Sequence, residues 1–387
     1  MKSKSISTTP EPVASPACWT KRIRQLRCTY VLASVIVLGL EVFAAPSAQT
    51  QTFNVLYSFT GSSDGAFPEA SMVMDAMGNI YGTTRGGRFS NGGNGTVFEI
   101  NKAGAFTVLH SFAGGSTDGE TPYGGLVMDA KGNLYGTTSA GGAFGLGTVF
   151  KVTDTGKETL LHSFGRGTDG STPNAGLIMD TKGNLYGTTS LGGTSNLGTV
   201  FRVTNTGKET ILHSFKGTPD GSDPTASLLM DANGNLYGTT YAGGTGHAGG
   251  SCYRGCGTVF KITNVGKEIV LHNFKGSPSG AFPYAGLISD PQGNLYGTTV
   301  AGGSHSGGTV FEVTKTGKTT ILYHFTGLDG GQPYAGLVMS TDGTLYGTTF
   351  LVVGPRSDQC SGWTGMATKP CCIASPVRRT GHFHMGP

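Results

Sequence analysis

Residues 173–189 read Pro-Asn-Ala-Gly-Leu-Ile-Met-Asp-Thr-Lys-Gly-Asn-Leu-Tyr-Gly-Thr-Thr, and residues 198–203 read Gly-Thr-Val-Phe-Arg-Val. Leu177, Ile178 and Met179 form a short apolar run. Asp180-x-x-Gly183-Asn184 then fits a tight hairpin, in which Asp accepts backbone N–H groups and Gly takes the left-handed position. Leu185 to Thr189 and Gly198 to Val203 are two further β-rich runs. Thr206-Gly207 turns the chain into a fourth, Lys208 to Phe215. Short β-rich runs between turn residues, none long enough for a helix, describe a four-stranded antiparallel meander.

Outward from this stretch, Tyr-Gly-Thr-Thr returns at Tyr81, Tyr135, Tyr186, Tyr237, Tyr296 and Tyr346, in steps of 54, 51, 51, 59 and 50 residues. A period near 50 marks a repeat architecture, and 66 glycines suit many tight turns. A sheet with one wet face would alternate polar and apolar residues, and Leu177-Ile178-Met179 does not. Both faces are therefore expected to be buried, as in propeller blades. The expected fold is all-β: a six-bladed β-propeller of four-stranded antiparallel blades over residues 49–350. A stacked solenoid is the alternative. The Gly-Thr-Val-Phe strand occurs five times, at Gly95, Gly147, Gly198, Gly257 and Gly308. Phe53 to Phe59 resembles a fourth strand standing ahead of the first unit. A ring would close if this N-terminal strand completed the last blade, Ala335 to Thr349.

Residues 1–48 read as a signal peptide. Lys21 to Arg27 is basic, Tyr30 to Phe43 is apolar apart from Ser34 and Glu41, and Ala44, Ala45, Ser47 and Ala48 are small. The apolar run falls short of the ~20 residues of a membrane span, although an uncleaved anchor is the competing reading. The protein is thus expected to be secreted to the cell surface, periplasm or medium, with no membrane span after leader cleavage. The formal charge of +4 resides in this leader, which holds six basic and two acidic groups; the rest carries 21 of each. A neutral body excludes a nucleic-acid partner in the expected set. In an oxidising compartment Cys252 and Cys256 most simply form a local disulfide, with half of a metal site as the competing reading. Residues 351–387 abandon the repeat and hold Cys360, Cys371 and Cys372. They read as a frameshifted or recombined end, or as a Cys-stapled tail.

The unit Pro-x-Ala-Gly-Leu-x-Met-Asp-x-x-Gly-Asn-Leu-Tyr-Gly-Thr-Thr, followed by Gly-Thr-Val-Phe-Lys-Val, resembles the GloVer tandem-repeat family of exported bacterial proteins. The resemblance spans residues 53–349. Its Asp-x-x-Gly-Asn-Leu-Tyr core is also similar to NHL-type propeller repeats. The resemblance implies an exported repeat protein and brings no catalytic residues with it.

Strand polarity gathers the Gly-rich loops and the links between units at one end, and the near-identical hairpin turns at the other. Variable loops on a rigid scaffold are where binding resides. The unusual loop residues are His247, Tyr253, Arg254, His305, Arg88, Phe89 and Phe144, a set suited to a glycan or protein ligand. Three repeated features carry plainer readings. His110, His162, His213 and His272 share one position of the fourth strand, with Tyr57 and Tyr323 in the other copies; packing between units is expected. Asp75, Asp129, Asp180, Asp231 and Asp290 are expected to cap turns. Asp64, Asp118, Asp169, Asp220 and Asp329 sit in the links, where a turn role is expected and calcium is the competing reading. No catalytic residue is identified, because nearly every polar motif is copied five or six times whereas catalysis needs single-copy groups. A binding scaffold is the leading expectation. A calcium-dependent hydrolase or lactonase-like enzyme and a purely structural envelope protein are the alternatives.

Overall fold

The computed structural model describes residues 54–86, 93–246 and 252–351. The leader (1–48), the tail beyond residue 351, Arg88, Phe89 and His247 lie outside the described residues. The chain divides at Val55 and Leu56, and the account below concerns the unit from Leu56 onward.

The third repeat shows the pattern. Its strands are Ile178–Met179, Leu185–Thr189, Thr199–Val203 and Glu209–Ser214, hydrogen-bonded in that order and all antiparallel. Four other repeats build the same four-stranded sheet. No helix occurs among the described residues.

Each letter of Tyr-Gly-Thr-Thr has a separate physical cause. The Tyr186 hydroxyl donates to Asp180 Oδ2 at 3.1 Å, tying the strand to its own hairpin turn. Gly187 faces Phe201, and a Cβ there would lie 2.6 Å from the ring. Thr188 Oγ1 donates to the Ala226 carbonyl of the next repeat at 3.2 Å. Thr189 Oγ1 lies 2.8 Å from Thr199 Oγ1 within the sheet. One tetrapeptide thus closes a turn, admits an aromatic ring, bonds the following sheet and locks a strand pair. The Thr188 type of bond also explains why the first strand is only two residues long. Inner carbonyls such as Ala175 O accept from the preceding repeat's threonine, at 2.9 Å from Thr137 Oγ1.

Consecutive sheets pack through apolar clusters. The aromatic ring that ends each fourth strand meets the ring of the next sheet's third strand edge-on. Phe112 and Phe150 lie 5.0 Å apart, and Phe215 and Phe260 5.1 Å. Five clusters join the six repeats in series. Between neighbouring repeats, cover on both faces of a sheet accounts for the non-alternating apolar runs, whereas Met72 and Met74 of the first repeat and Val338 of the sixth are exposed.

The sixth sheet departs from expectation. It has two strands, Val338–Met339 and Leu345–Tyr346. Residues 54–59 adopt no strand, so the strand expected to complete the last blade is not formed among the described residues. The cause lies in sequence. After Thr349 the Gly-Thr-Val-Phe strand is missing, and an incoming fourth strand has no neighbour to pair with. Thr348 is exposed, where its five counterparts, each bonded to a carbonyl of the following repeat, are buried. The N-terminal segment packs on the first sheet. Tyr57 stacks on Phe106 at 3.9 Å, and Phe59 meets Phe98 at 5.2 Å.

Candidate functional site

In every repeat the link entering the sheet runs beside the loop that follows Tyr-Gly-Thr-Thr. Gly170–Ser171 pairs with Leu191–Gly192, for example, and Ala66 bridges Gly86. The residue just after the tetrapeptide donates its N–H to a link residue held at positive φ. Arg85 N bonds Phe67 O at 3.1 Å, Tyr241 N bonds Asp223 O at 2.9 Å, and Val300 N bonds Phe282 O at 3.1 Å. Phe67, Asp223 and Phe282 have φ of 59°, 57° and 59°. A left-handed backbone costs a bulky side chain of order 1–3 kcal/mol, and such strain concentrates at functional positions. Two residues on, after an intervening Pro, come Glu69, Tyr123, Asn174, Thr225, Tyr284 and Tyr334. Three columns therefore vary from repeat to repeat while the scaffold around them stays fixed.

These columns converge. Arg85 Nη1 donates to the Tyr123 hydroxyl at 2.7 Å and lies 3.6 Å from Glu69 Oε2. Its guanidinium carbon sits 4.9 Å from the centre of the Tyr123 ring and 5.3 Å from that of Phe67. Across the same end, Tyr241 stacks on Phe282 at 4.9 Å and meets the edge of Tyr284 at 6.2 Å. Tyr284 meets Tyr334 at 5.4 Å, and Tyr334 meets Phe350 at 5.8 Å. The result is an arc of five rings from the fourth, fifth and sixth repeats. Burial raises the Tyr284 phenol, and the charges of Asp223, Tyr123 and Glu69 raise it further. Groups from the first, second and fourth repeats therefore lie within electrostatic reach of a side chain of the fifth.

Asp223 is the unusual acid of this end. Burial pushes its carboxyl up, and the Arg254 charge partly offsets that rise. The Arg254 charge therefore lies within reach of Asp223. Tyr253 beside it is 78% exposed. Phe144 lies next to Gly165 and Asp169 of its own repeat, and His305 is exposed on the fifth. Cys252 and Cys256 are joined by a disulfide, and both are buried against Val259 and Phe274.

The link aspartates are occupied locally. Asp64 accepts from the Thr60 N–H at 2.7 Å and the Tyr57 hydroxyl at 3.1 Å. Asp169 accepts from the N–H groups of Gly165 and Gly170, each at 2.7 Å. Asp118 accepts from Ala113 N–H at 2.7 Å, Asp220 from Lys216 N–H at 2.9 Å, and Asp329 from Thr326 N–H at 2.8 Å. The His or Tyr of the fourth strand faces this Asp in its own repeat, with His110 3.3 Å from Asp118 and His213 3.0 Å from Asp220. The hairpin aspartates cap turns, as Asp180 shows by accepting from the Lys182 and Asn184 N–H groups at 2.9 and 2.8 Å.

Glu69, Tyr123, Asp223, Tyr241, Tyr284 and Tyr334 were not singled out by sequence reasoning. Aligning the six copies and marking columns that vary between fixed neighbours would have found them.

A family model described as the Gloeobacter/Verrucomicrobia repeat matches residues 41–183 and 177–351. This chain belongs to the Gloeobacter/Verrucomicrobia repeat family. No curated protein matches it. Among solved structures this repeat protein is similar to virginiamycin B lyase from Staphylococcus aureus, at 14% identity, 75% of this chain, 80% of the other and a TM-score of 0.49. It is also similar to a gluconolactonase from Xanthomonas campestris, at 16% identity, 74% and 84% coverage and a TM-score of 0.44. Neither activity carries over to this member of the Gloeobacter/Verrucomicrobia repeat family.

Proposed function

We propose that this protein is an exported, non-enzymatic β-propeller that binds a glycan at the aromatic end of its axis. The observation carrying the reading is the arc Phe282–Tyr241–Tyr284–Tyr334–Phe350 facing Arg85, Glu69 and Asp223. Aromatic faces cover the C–H faces of sugar rings, while a guanidinium and carboxylates hydrogen-bond hydroxyls. We read the six repeats as blades around one axis. The charges acting on Tyr284 of the fifth repeat include those of Tyr123 of the second and Glu69 of the first, which supports a ring over an extended stack. Phe59 sits on Phe98 as Phe112 sits on Phe150, which is the contact a preceding blade's last strand makes. Export rests on the basic-apolar-small pattern of residues 1–48.

The test is a glycan array probed with the full chain, alongside Tyr284→Ala and a variant lacking residues 245–251. Binding lost in Tyr284→Ala and kept in the deletion supports the aromatic end. Binding kept in both variants, or absent from the parent on glycans while a protein is captured, overturns the glycan reading.

An enzymatic second reading has one observation in its favour: burial raises the Asp223 carboxyl, which suits a general acid. Turnover of lactone or glycoside substrates that disappears in Asp223→Asn would favour this reading over binding alone.

A further inference from the structure

The junctions between repeats hold a second kind of site, remote in sequence from the aromatic end. At the junction of the second and third repeats, ligand atoms of His162, Asp169 and Glu209 all lie within 4.8 Å of one another. At the next junction His213, Asp220 and Glu268 do the same. The His and Asp come from one repeat, and the Glu opens the fourth strand of the following one. His213 Nε2 to Asp220 Oδ1 is 3.0 Å. Three ligands bonded to zinc at ~2.0–2.2 Å would stand about 3.3–3.6 Å apart in a tetrahedron, so small side-chain adjustments suffice.

Two independent observations point to a cation site. The Oε1 atoms of Glu209 and Glu268 are buried without a hydrogen-bond partner. The second observation is how the three residues change together along the chain. Where Asp gives way to Ser279, Glu gives way to Thr319, and Thr319 Oγ1 lies 2.8 Å from His272 Nδ1. Where His gives way to Tyr57, Glu gives way to Phe106, which stacks on it. A glutamate opens this strand only where both His and Asp precede it, as also at His110, Asp118 and Glu158.

We propose that the His162–Asp169–Glu209 and His213–Asp220–Glu268 clusters each bind one divalent transition-metal ion, of the kind that accepts mixed imidazole and carboxylate ligands, such as Zn²⁺ or Co²⁺. Each ion clamps two neighbouring sheets. One imidazole with two carboxylates favours these metals over calcium, which takes six to eight oxygens.

The test is Co²⁺ titration of the EDTA-stripped full chain at neutral pH, read by visible absorption and calorimetry and compared with Glu209→Gln, Glu268→Gln and the double variant. Gln keeps the shape and removes the charge. Each single variant is expected to lower the stoichiometry by one ion, and the double variant by two. Reading the difference sets aside any metal held by Cys360, Cys371 or Cys372. Ser279→Asp combined with Thr319→Glu is expected to add one ion at His272. Thermal unfolding should rise with metal in the parent and less in the double variant. Equal stoichiometry in the parent and the double variant overturns the proposal and leaves the clusters as proton-sharing contacts.

Discussion

The guanidinium of Arg85 donates a 2.7 Å hydrogen bond to the hydroxyl of Tyr123, joining the first two repeats at their variable columns. The same guanidinium leans over the Tyr123 ring. Arg85→Ala is expected to lower glycan affinity tenfold or more, since anchors of this kind contribute about 1–3 kcal/mol. Arg85→Lys should recover little of it, because an ammonium reproduces neither the planar stacking nor the fork. Calorimetric titration against the glycan identified on the array checks both.

Gly187 is expected to tolerate no side chain. A Cβ would meet the Phe201 ring at 2.6 Å and Leu177 Cδ2 at 2.8 Å. Gly187→Ala should cost about 1–3 kcal/mol by overpacking. Gly132→Ala, where nothing lies within 4 Å, meets only the strain of a φ of 81° and should cost less. Denaturant unfolding of the two variants compares packing with backbone strain directly.

Acid sensitivity should track the hairpin aspartates. Burial raises the Asp180 carboxyl, but hydrogen bonds from Asn184, Lys182 N–H and Tyr186 outweigh it and hold it below its ordinary value. A group depressed in the folded state adds stability above its unfolded pKa of ~3.9 and loses it as pH falls through the folded value. Asp180→Asn should therefore be less stable than the parent at neutral pH, with the gap closing toward pH 2. Melting temperatures from pH 7 to pH 2 test the sign.

The Cys252–Cys256 link should matter more than its short span implies. Both sulfurs are buried with Val259 and Phe274 at the junction of the fourth and fifth repeats. Closing so short a loop contributes about 2 kcal/mol by chain entropy. Converting both cysteines to serine adds the cost of burying two hydroxyls. The double serine variant is expected to melt lower than an alanine pair, and the parent to lose stability on reduction.

The regular part of this fold was legible because its causes are local. Asp180-x-x-Gly183-Asn184 announces its turn, and Gly187 opposite Phe201 announces a close approach, each within one repeat. The variable end was not legible, because its meaning depends on convergence. Arg85 and Tyr123 are 38 residues apart, and neither looks unusual beside its own neighbours. Of the loop residues chosen for their oddness, Arg254 acts by its charge on Asp223, and Phe144 lies beside Gly165. The pairing of His213 with Asp220 escaped notice because strand and link were weighed as separate features. Loss of the sixth Gly-Thr-Val-Phe was visible in sequence, but its effect on the N-terminal segment was not. Pairing depends on a strand that has to be present to receive a partner.

The three variable columns ride on hardware whose own side chains are engaged elsewhere. Tyr186 answers to its turn, Gly187 to a ring, and Thr188 and Thr189 to neighbouring strands. Under the proposed glycan reading, a mutation at Asn174 or Ser190 would change what is bound without renegotiating how the chain folds. Duplicating, deleting or exchanging whole repeats would shuffle ready-made combinations in a single genetic event. Lineages carrying such arrays have a route to new specificities in which inheritance supplies the frame and drift supplies the variety.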